Sequence, residues 1–181
     1  MSAIRIYQDN NGNQPLISAG DYKEIRRLLR EVGVRFEQWH TDIELAPGDS
    51  QEKVIAAYQP YIDQLIAEQG YQSVDVVSLN SDHPQKAELR KKFLDEHRHS
   101  EDEVRFFVAG SGLFSLHLDG KVYEVLCEQG DLISVPANTP HWFDMGPNPY
   151  FIAIRLFNNP DGWVAKFTGS DIASQFPRLE N

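Results

Sequence analysis

The chain has a single cysteine, no long apolar run and too few cations to balance its acids, and each shortage closes a class of explanation. Cys127 has no partner for a disulfide, which fits a reducing compartment. It lies in the apolar-alternating segment KVYEVLC and reads as a packing residue rather than a nucleophile. The apolar runs are a few residues long, far short of the roughly 20 that cross a bilayer as a helix. MSAIRIYQDN shows no basic flank followed by an apolar core, so no secretory signal is read and a cytoplasmic location is expected. Lys and Arg total 17 against 27 Asp and Glu, a net charge of −10. That balance repels nucleic acid and anionic membrane alike, and neither is expected as a partner. There is no internal repeat.

What is present is the composition of an ordinary globular domain. Hydrophobic residues make up 41% and charged residues 24% of 181 residues, so one domain is expected over 1–181, with a packed core. Residues 1–92 read as a mixed α/β front that packs on the outside of a barrel. Ala3 to Tyr7 and Val34 to Trp39 are strand-like. Asp21 and Glu24 have capping-box spacing ahead of the stripe Ile25, Leu28, Leu29, with Gly33 as the stop. Asp49 and Glu52 repeat that spacing before KVIAAYQ. Pro60 breaks or restarts this helix, which runs on to Gly70. SVDVVSL, from Ser73 to Leu79, is β-branched, and QKAELRKKFL after Pro84 predicts a short helix.

From Val104 the character changes. VRFFVA, LFSLHL, KVYEVLC, LISV, HWF and FIAIRLF are short strand-like runs separated by glycine, proline and aspartate turns. Asp119-Gly120 is a two-residue hairpin turn. The fold expected is mainly β with a helical N-terminal part: a sandwich or jelly-roll barrel over 93–160, followed by a tail over 161–181.

The chemistry concentrates in DEHRHSEDEVRFFVAG, from Asp95 to Gly110. His97 and His99 are followed by acidic residues, and GDLISVPANTPHWF later delivers His141. In an extended strand alternate side chains share a face, so His97, His99, Glu103 and Arg105 project together while Asp102 points away. Periodicity does not separate Glu103 from Glu101, and either carboxylate fits. Alone, a His-x-His pair is an ordinary surface feature and an acidic run a solvated face. Together with a glycine turn and a second block carrying Gly130, Pro136 and His141, they predict a metal site. Three imidazoles and a carboxylate would fill a tetrahedral zinc site, whereas an octahedral ion such as Fe(II), Ni(II), Co(II) or Mn(II) keeps two positions for substrate. His40, His83 and His117 lack this context and read as surface or packing residues.

The spacing HxHx3Ex6G from His97 to Gly110, with Gx5P and His141, resembles the two-part motif of the cupin superfamily. It implies a double-stranded β-helix barrel. Cupins commonly carry glycine where Asn138 stands, and asparagine tolerates the left-handed backbone that such a position implies. More narrowly, FLDEHRHSEDEVRFFVAGSG, PANTPHWFD and IRLFNNPDGWVA resemble the acireductone dioxygenase family over nearly the whole chain. That resemblance implies metal ligands His97, His99, Glu103 and His141, with one Fe(II) or Ni(II) per chain. It implies that Arg105 holds the substrate as its dianion, and that Glu96 and Asp102 assist metal incorporation and relay local conformational change. The implied reaction is cleavage of 1,2-dihydroxy-3-keto-5-methylthiopentene by O2. Phe107 and Phe143 share the facing of Arg105 and His141, and are expected with Trp163 to dry the pocket around the methylthio tail. The partners expected are thus a small molecule and O2, and the chain is expected to be a monomer. Another cupin enzyme, such as a sugar-phosphate isomerase, or a non-enzymatic small-molecule-binding cupin are the alternatives.

Overall fold

The computed structural model describes residues 1–159, 161 and 164–181. Its centre is one long strand, β6 (Glu103–Leu118), which merges the two runs VRFFVA and LFSLHL that the sequence separated at Gly110 to Gly112. The glycines bend the strand without ending it. Gly110 takes a φ of +72°, and beyond it β6 changes partners. The Glu103 half pairs with β8 (Asp131–Val135) and β10 (Phe151–Phe157), while the Leu118 half pairs with β7 (Lys121–Glu128) and β9 (His141–Asp144). A single strand therefore serves both walls of the barrel.

The front half does more than pack outside. Its strands β1 (Ala3–Gln8), β3 (Arg35–Gln38) and β4 (Ser73–Leu79) pair antiparallel with β7, β8 and β10. Edge strands with unpaired backbone groups are a liability, and these additions cover barrel edges. The short β2 (Ile17–Ala19) and β11 (Lys166–Phe167) were not signalled by their residues. Asp119 and Gly120 both have positive φ in the β6–β7 turn, as the hairpin reading required.

The helices follow their predicted signals with one correction. Asp21 caps α1 (Tyr22–Arg30) by accepting from the Glu24 amide. For α2 (Gln51–Ala57) the cap is Ser50, which accepts from the Lys53 amide. Asp49 instead accepts from the Ala46 amide, because it closes the preceding turn and leaves the cap to its neighbour. Pro60 opens α3 (Gln59–Gln69), and Gly70 ends it in the left-handed conformation. The last α-helix among the described residues, α4 (Lys86–Leu94), leads into the metal stretch.

Alternation along β6 sorts the core into layers. Val104, Phe106 and Val108 face the helix layer, where Val54, Tyr58, Ile62 and Leu65 pack. Phe107, with Phe114, Phe143, Phe151 and Ile133, fills the barrel interior beside Cys127. Tail residues Ile172, Ala173 and Phe176 cover Tyr7, Val122 and Trp142 on the opposite wall. Among the described residues no helix is long and apolar enough to cross a membrane.

A Cβ on Gly110 would lie 1.8 Å from the Tyr150 carbonyl oxygen, whereas Gly120 has a similar φ but open space around it. Gly120→Ala is expected to cost about 1 kcal/mol from backbone strain alone. Gly110→Ala adds backbone overlap and is expected to cost about 3 kcal/mol or more. Urea unfolding of the two metal-free variants checks this, and equal midpoints would contradict the close approach at Gly110.

Candidate metal centre

Three local devices bring the histidines together. A short strand, β5 (His97–Arg98), sits between β11 and β9, with His97 directly opposite His141. The turn before His141 is docked onto the His97 segment: the Asn138 amide donates to the His99 carbonyl at 2.8 Å, and the Ala137 amide donates to Asp102 Oδ1 at 2.9 Å. Asn138 holds a φ of +64° there, the left-handed backbone anticipated for that position. Asp102 points away from the site, although not by strand parity, since the chain leaves the strand over 99–102 and bends at Ser100 and Glu101; what Asp102 binds is the turn that delivers His141.

The ligand atoms of His97, His99 and His141 all lie within 4.8 Å of one another, and all three residues are buried. Glu103 Oε2 lies 2.6 Å from His141 Nε2 and 3.3 Å from His99 Nε2. Glu101 is elsewhere, accepting from the amides of Asn158 and Asn159. The carboxylate beside the histidines is therefore Glu103.

Tautomers follow from the backbone. His97 Nδ1 lies 2.7 Å from the Asp95 carbonyl and His141 Nδ1 lies 2.8 Å from that of Thr139. A carbonyl only accepts, so each Nδ1 carries a hydrogen and each ring turns its Nε2 inward. The Glu103 Oε2 and His141 Nε2 atoms are buried and make no aligned hydrogen bond. A carboxylate oxygen and an imidazole nitrogen held this close need a proton or a metal cation between them, and with three buried histidines converging there the donor set fits a divalent metal ion.

The electrostatics agree. Burial, reinforced by His141, pushes His97 down to about 4, and burial lowers His99 as well. Burial alone would raise Glu103, but the charges of His141 and Arg105 outweigh it and hold the carboxylate well below its usual range. His141 is pulled up by Glu103 against the opposing effect of burial. Metal binding displaces whatever proton that pair shares.

Arg105 is buried, donates toward Glu103 Oε1 at 3.0 Å, and places its guanidinium carbon 5.1 Å from the centre of the Phe143 ring. Together with His97, His99, Glu103 and Phe143 it lines a cavity of about 420 Å³. Phe107 does not reach that cavity. It is fully buried, packed among the rings of Phe114, Phe143 and Phe151, with 6.4 Å between its ring centre and that of Phe143. Trp163 lies outside the described residues.

Several residues around the site carried no sequence signal. Phe93, Val164 and Phe167 also line the cavity, but sit in segments whose local pattern says nothing of a pocket. Arg155 lines it too, and is tied to Asp75 at 2.8 Å. Its position opposite Arg105 in the β6–β10 register follows only from strand pairing. Glu96 faces away from the histidines. Its carboxylate accepts from Thr168 Oγ1 at 2.8 Å and meets His117 Nδ1 at 2.7 Å, so His117 is no bystander but a partner of Glu96.

With this geometry in hand, the likenesses to known proteins become specific. The acireductone dioxygenase of Pseudomonas aeruginosa strain UCBPP-PA14 is 64% identical over 181 residues, covering all of both chains. That of Pseudomonas fluorescens strain Pf0-1 is 62% identical over the same span. Among solved structures, the acireductone dioxygenase from Bacillus anthracis with a cadmium ion in its active centre matches with a TM-score of 0.80. It is 32% identical, covering 92% of this chain and 98% of that one. The described barrel is thus a cupin barrel, and, with residues 3–165 matching the ARD/ARD' family, the chain belongs to that family of acireductone dioxygenases.

Proposed function

We propose that this chain is a metal-dependent dioxygenase that cleaves 1,2-dihydroxy-3-keto-5-methylthiopentene with O2, using His97, His99, Glu103 and His141 to hold one Fe(II) or Ni(II). The observation that carries the reading is the buried convergence of three histidines with Glu103, 2.6 Å from His141, beside a cavity that His97, His99, Glu103 and a buried arginine line. With Fe(II) the products are 2-keto-4-methylthiobutyrate and formate. With Ni(II) they are 3-methylthiopropionate, formate and carbon monoxide. Both sets contain the same atoms as substrate plus O2. When bound, the ion supplies Lewis acidity toward the enediol oxygens and contact with O2.

The protein's own part is binding and charge. The guanidinium N–H groups of Arg105 donate toward an enediolate oxygen, and at about 4 Å the Coulomb attraction is on the order of 4 kcal/mol at an effective dielectric near 20. The net charge of −10 does not cancel this, because distant charges are screened beyond about 8 Å. Phe143 covers one side of Arg105 and excludes water from the pair. Glu96 and Asp102 act at one remove, Glu96 on the strand that bears His97 and Asp102 on the turn that bears His141. The same reading has the chain acting as a cytoplasmic monomer on a small molecule, without nucleic acid or membrane.

Replacing His97, His99, Glu103 or His141 by Ala is expected to lower metal content from about one per chain to a small fraction, as deleting a donor from a four-donor set does. His40→Ala and His83→Ala should keep it, and metal analysis of purified variants checks both. Metal-free protein reloaded with Ni(II) alone should release carbon monoxide on turnover, and the Fe(II) form should not; gas analysis of the two forms decides between this reaction and other cupin chemistry.

Arg105→Ala is expected to keep its metal and lose activity by about a hundredfold or more. The defect should shrink as pH rises and the substrate ionises unaided. Arg105→Lys should recover little, since a point charge does not reproduce the planar fork. Steady-state rates across pH, with metal analysis of each variant, provide the check; unchanged activity in Arg105→Ala would remove this residue from the mechanism.

A further inference from the structure

Large apolar side chains are exposed at seven positions among the described residues, and two of these, Val164 and Phe167, lie on the wall of the site cavity. Phe167 is 56% exposed, with its ring centre 5.7 Å from that of His97. It also lines a second cleft of about 380 Å³ with Arg98, Asn138, Lys166 and Thr168. The two-residue strand β11 is therefore a thin partition between the site and the outside.

Two residues of pairing hold a strand weakly, and among the described residues β11 is at the edge of its sheet, paired with β5. What fastens it is the next residue. The Thr168 amide donates to the Glu96 carbonyl at 3.1 Å, and its hydroxyl donates to Glu96 Oε1 at 2.8 Å. Glu96 is 4% exposed, and its other oxygen meets His117, a residue of β6. One buried carboxylate thus joins the strand bearing His97, the edge strand bearing Phe167 and the central strand of the barrel.

We propose that Phe167 is a specificity-determining residue for the apolar end of the substrate, and that the Thr168–Glu96–His117 clamp is what positions it. The inference rests on the dioxygenase reading for the identity of that end, a methylthio group. The polar end of the substrate belongs with Arg105 and the metal ligands, deep in the cavity. Its tail then extends toward the rim, where a thioether against an aromatic ring is a favourable contact. Covering the tail also removes the exposed ring from water, which accounts for an apolar side chain left bare in the free protein.

The test uses metal-loaded protein and two substrates, the methylthio compound and an analogue with the same enediol head but no methylthio group. Phe167→Ala should raise KM for the methylthio substrate about tenfold, the scale on which an apolar pocket discriminates a small group. It should leave the KM of the analogue, kcat at saturation and metal content within about twofold. Thr168→Val removes the hydroxyl at nearly constant shape. It should move the KM ratio in the same direction by a smaller factor and speed hydrogen exchange in the peptide spanning 164–170, while Thr168→Ser should restore both.

An unchanged ratio of kcat/KM between the two substrates in Phe167→Ala would overturn the assignment of Phe167. Unchanged hydrogen exchange and an unchanged ratio in Thr168→Val would overturn the clamp. A wild-type protein inert on both substrates would instead overturn the dioxygenase reading, and the exchange comparison would still decide the clamp.

Discussion

Everything at the metal centre depends on β6 belonging to two walls at once. Its Glu103 end is fixed by β8 and β10, its Leu118 end by β7 and β9, and the bend at Gly110 is set by the approach of the Tyr150 carbonyl. A shift of one residue would exchange the two faces of the strand. Glu103 and Arg105 would then turn into the apolar layer of Tyr58, Ile62 and Leu65. Burying ions is tolerated only with close compensation, so the register of the barrel and the position of the charged pair enforce one another.

The charge balance of the centre is simple once the backbone tethers are considered. Carbonyl partners keep His97 and His141 with hydrogen on Nδ1, and burial keeps His97 neutral. Glu103 and Arg105 cancel. A dication therefore arrives with its charge uncompensated by the protein, and a substrate bound as a dianion would neutralise it. An acidic protein can thus prefer an anionic ligand at one place, because that preference is set within the cavity and not by the surface.

Much of this was legible in the chain. Alternating strands, capping aspartate, proline at a helix start and the Asp119-Gly120 turn are local signals, and the structure realises them. Gly110 looked like a terminator because its left-handed φ is also what a turn needs; only its pairing with Phe151 and the close approach of the Tyr150 carbonyl show it to be a bend. Ser50 and Asp49 compete for one cap, and the choice depends on a turn the spacing does not describe. The histidines and Glu103 were marked by spacing and resemblance, while Glu101 fell away once its partners at Asn158 and Asn159 were visible. Phe107 shares the facing of Arg105, but parity gives a direction and not a depth. The cavity rim and the link from Glu96 to His117 join segments 21 and 72 residues apart in sequence, and no local pattern encodes such contacts.

Cys127 sits fully buried in the barrel interior, and burial pushes its thiol pKa well above the ordinary value. A protein that handles O2 beside a bound metal exposes itself to sulfur oxidation, which proceeds through the thiolate and through solvent access. Here both routes are shut by the same packing that supports Phe143. The thiol becomes available only when the barrel itself opens, so its alkylation rate in the folded protein is a built-in gauge of that opening. A preparation with modified Cys127 has, at some point in its history, opened its barrel far enough to expose the thiol.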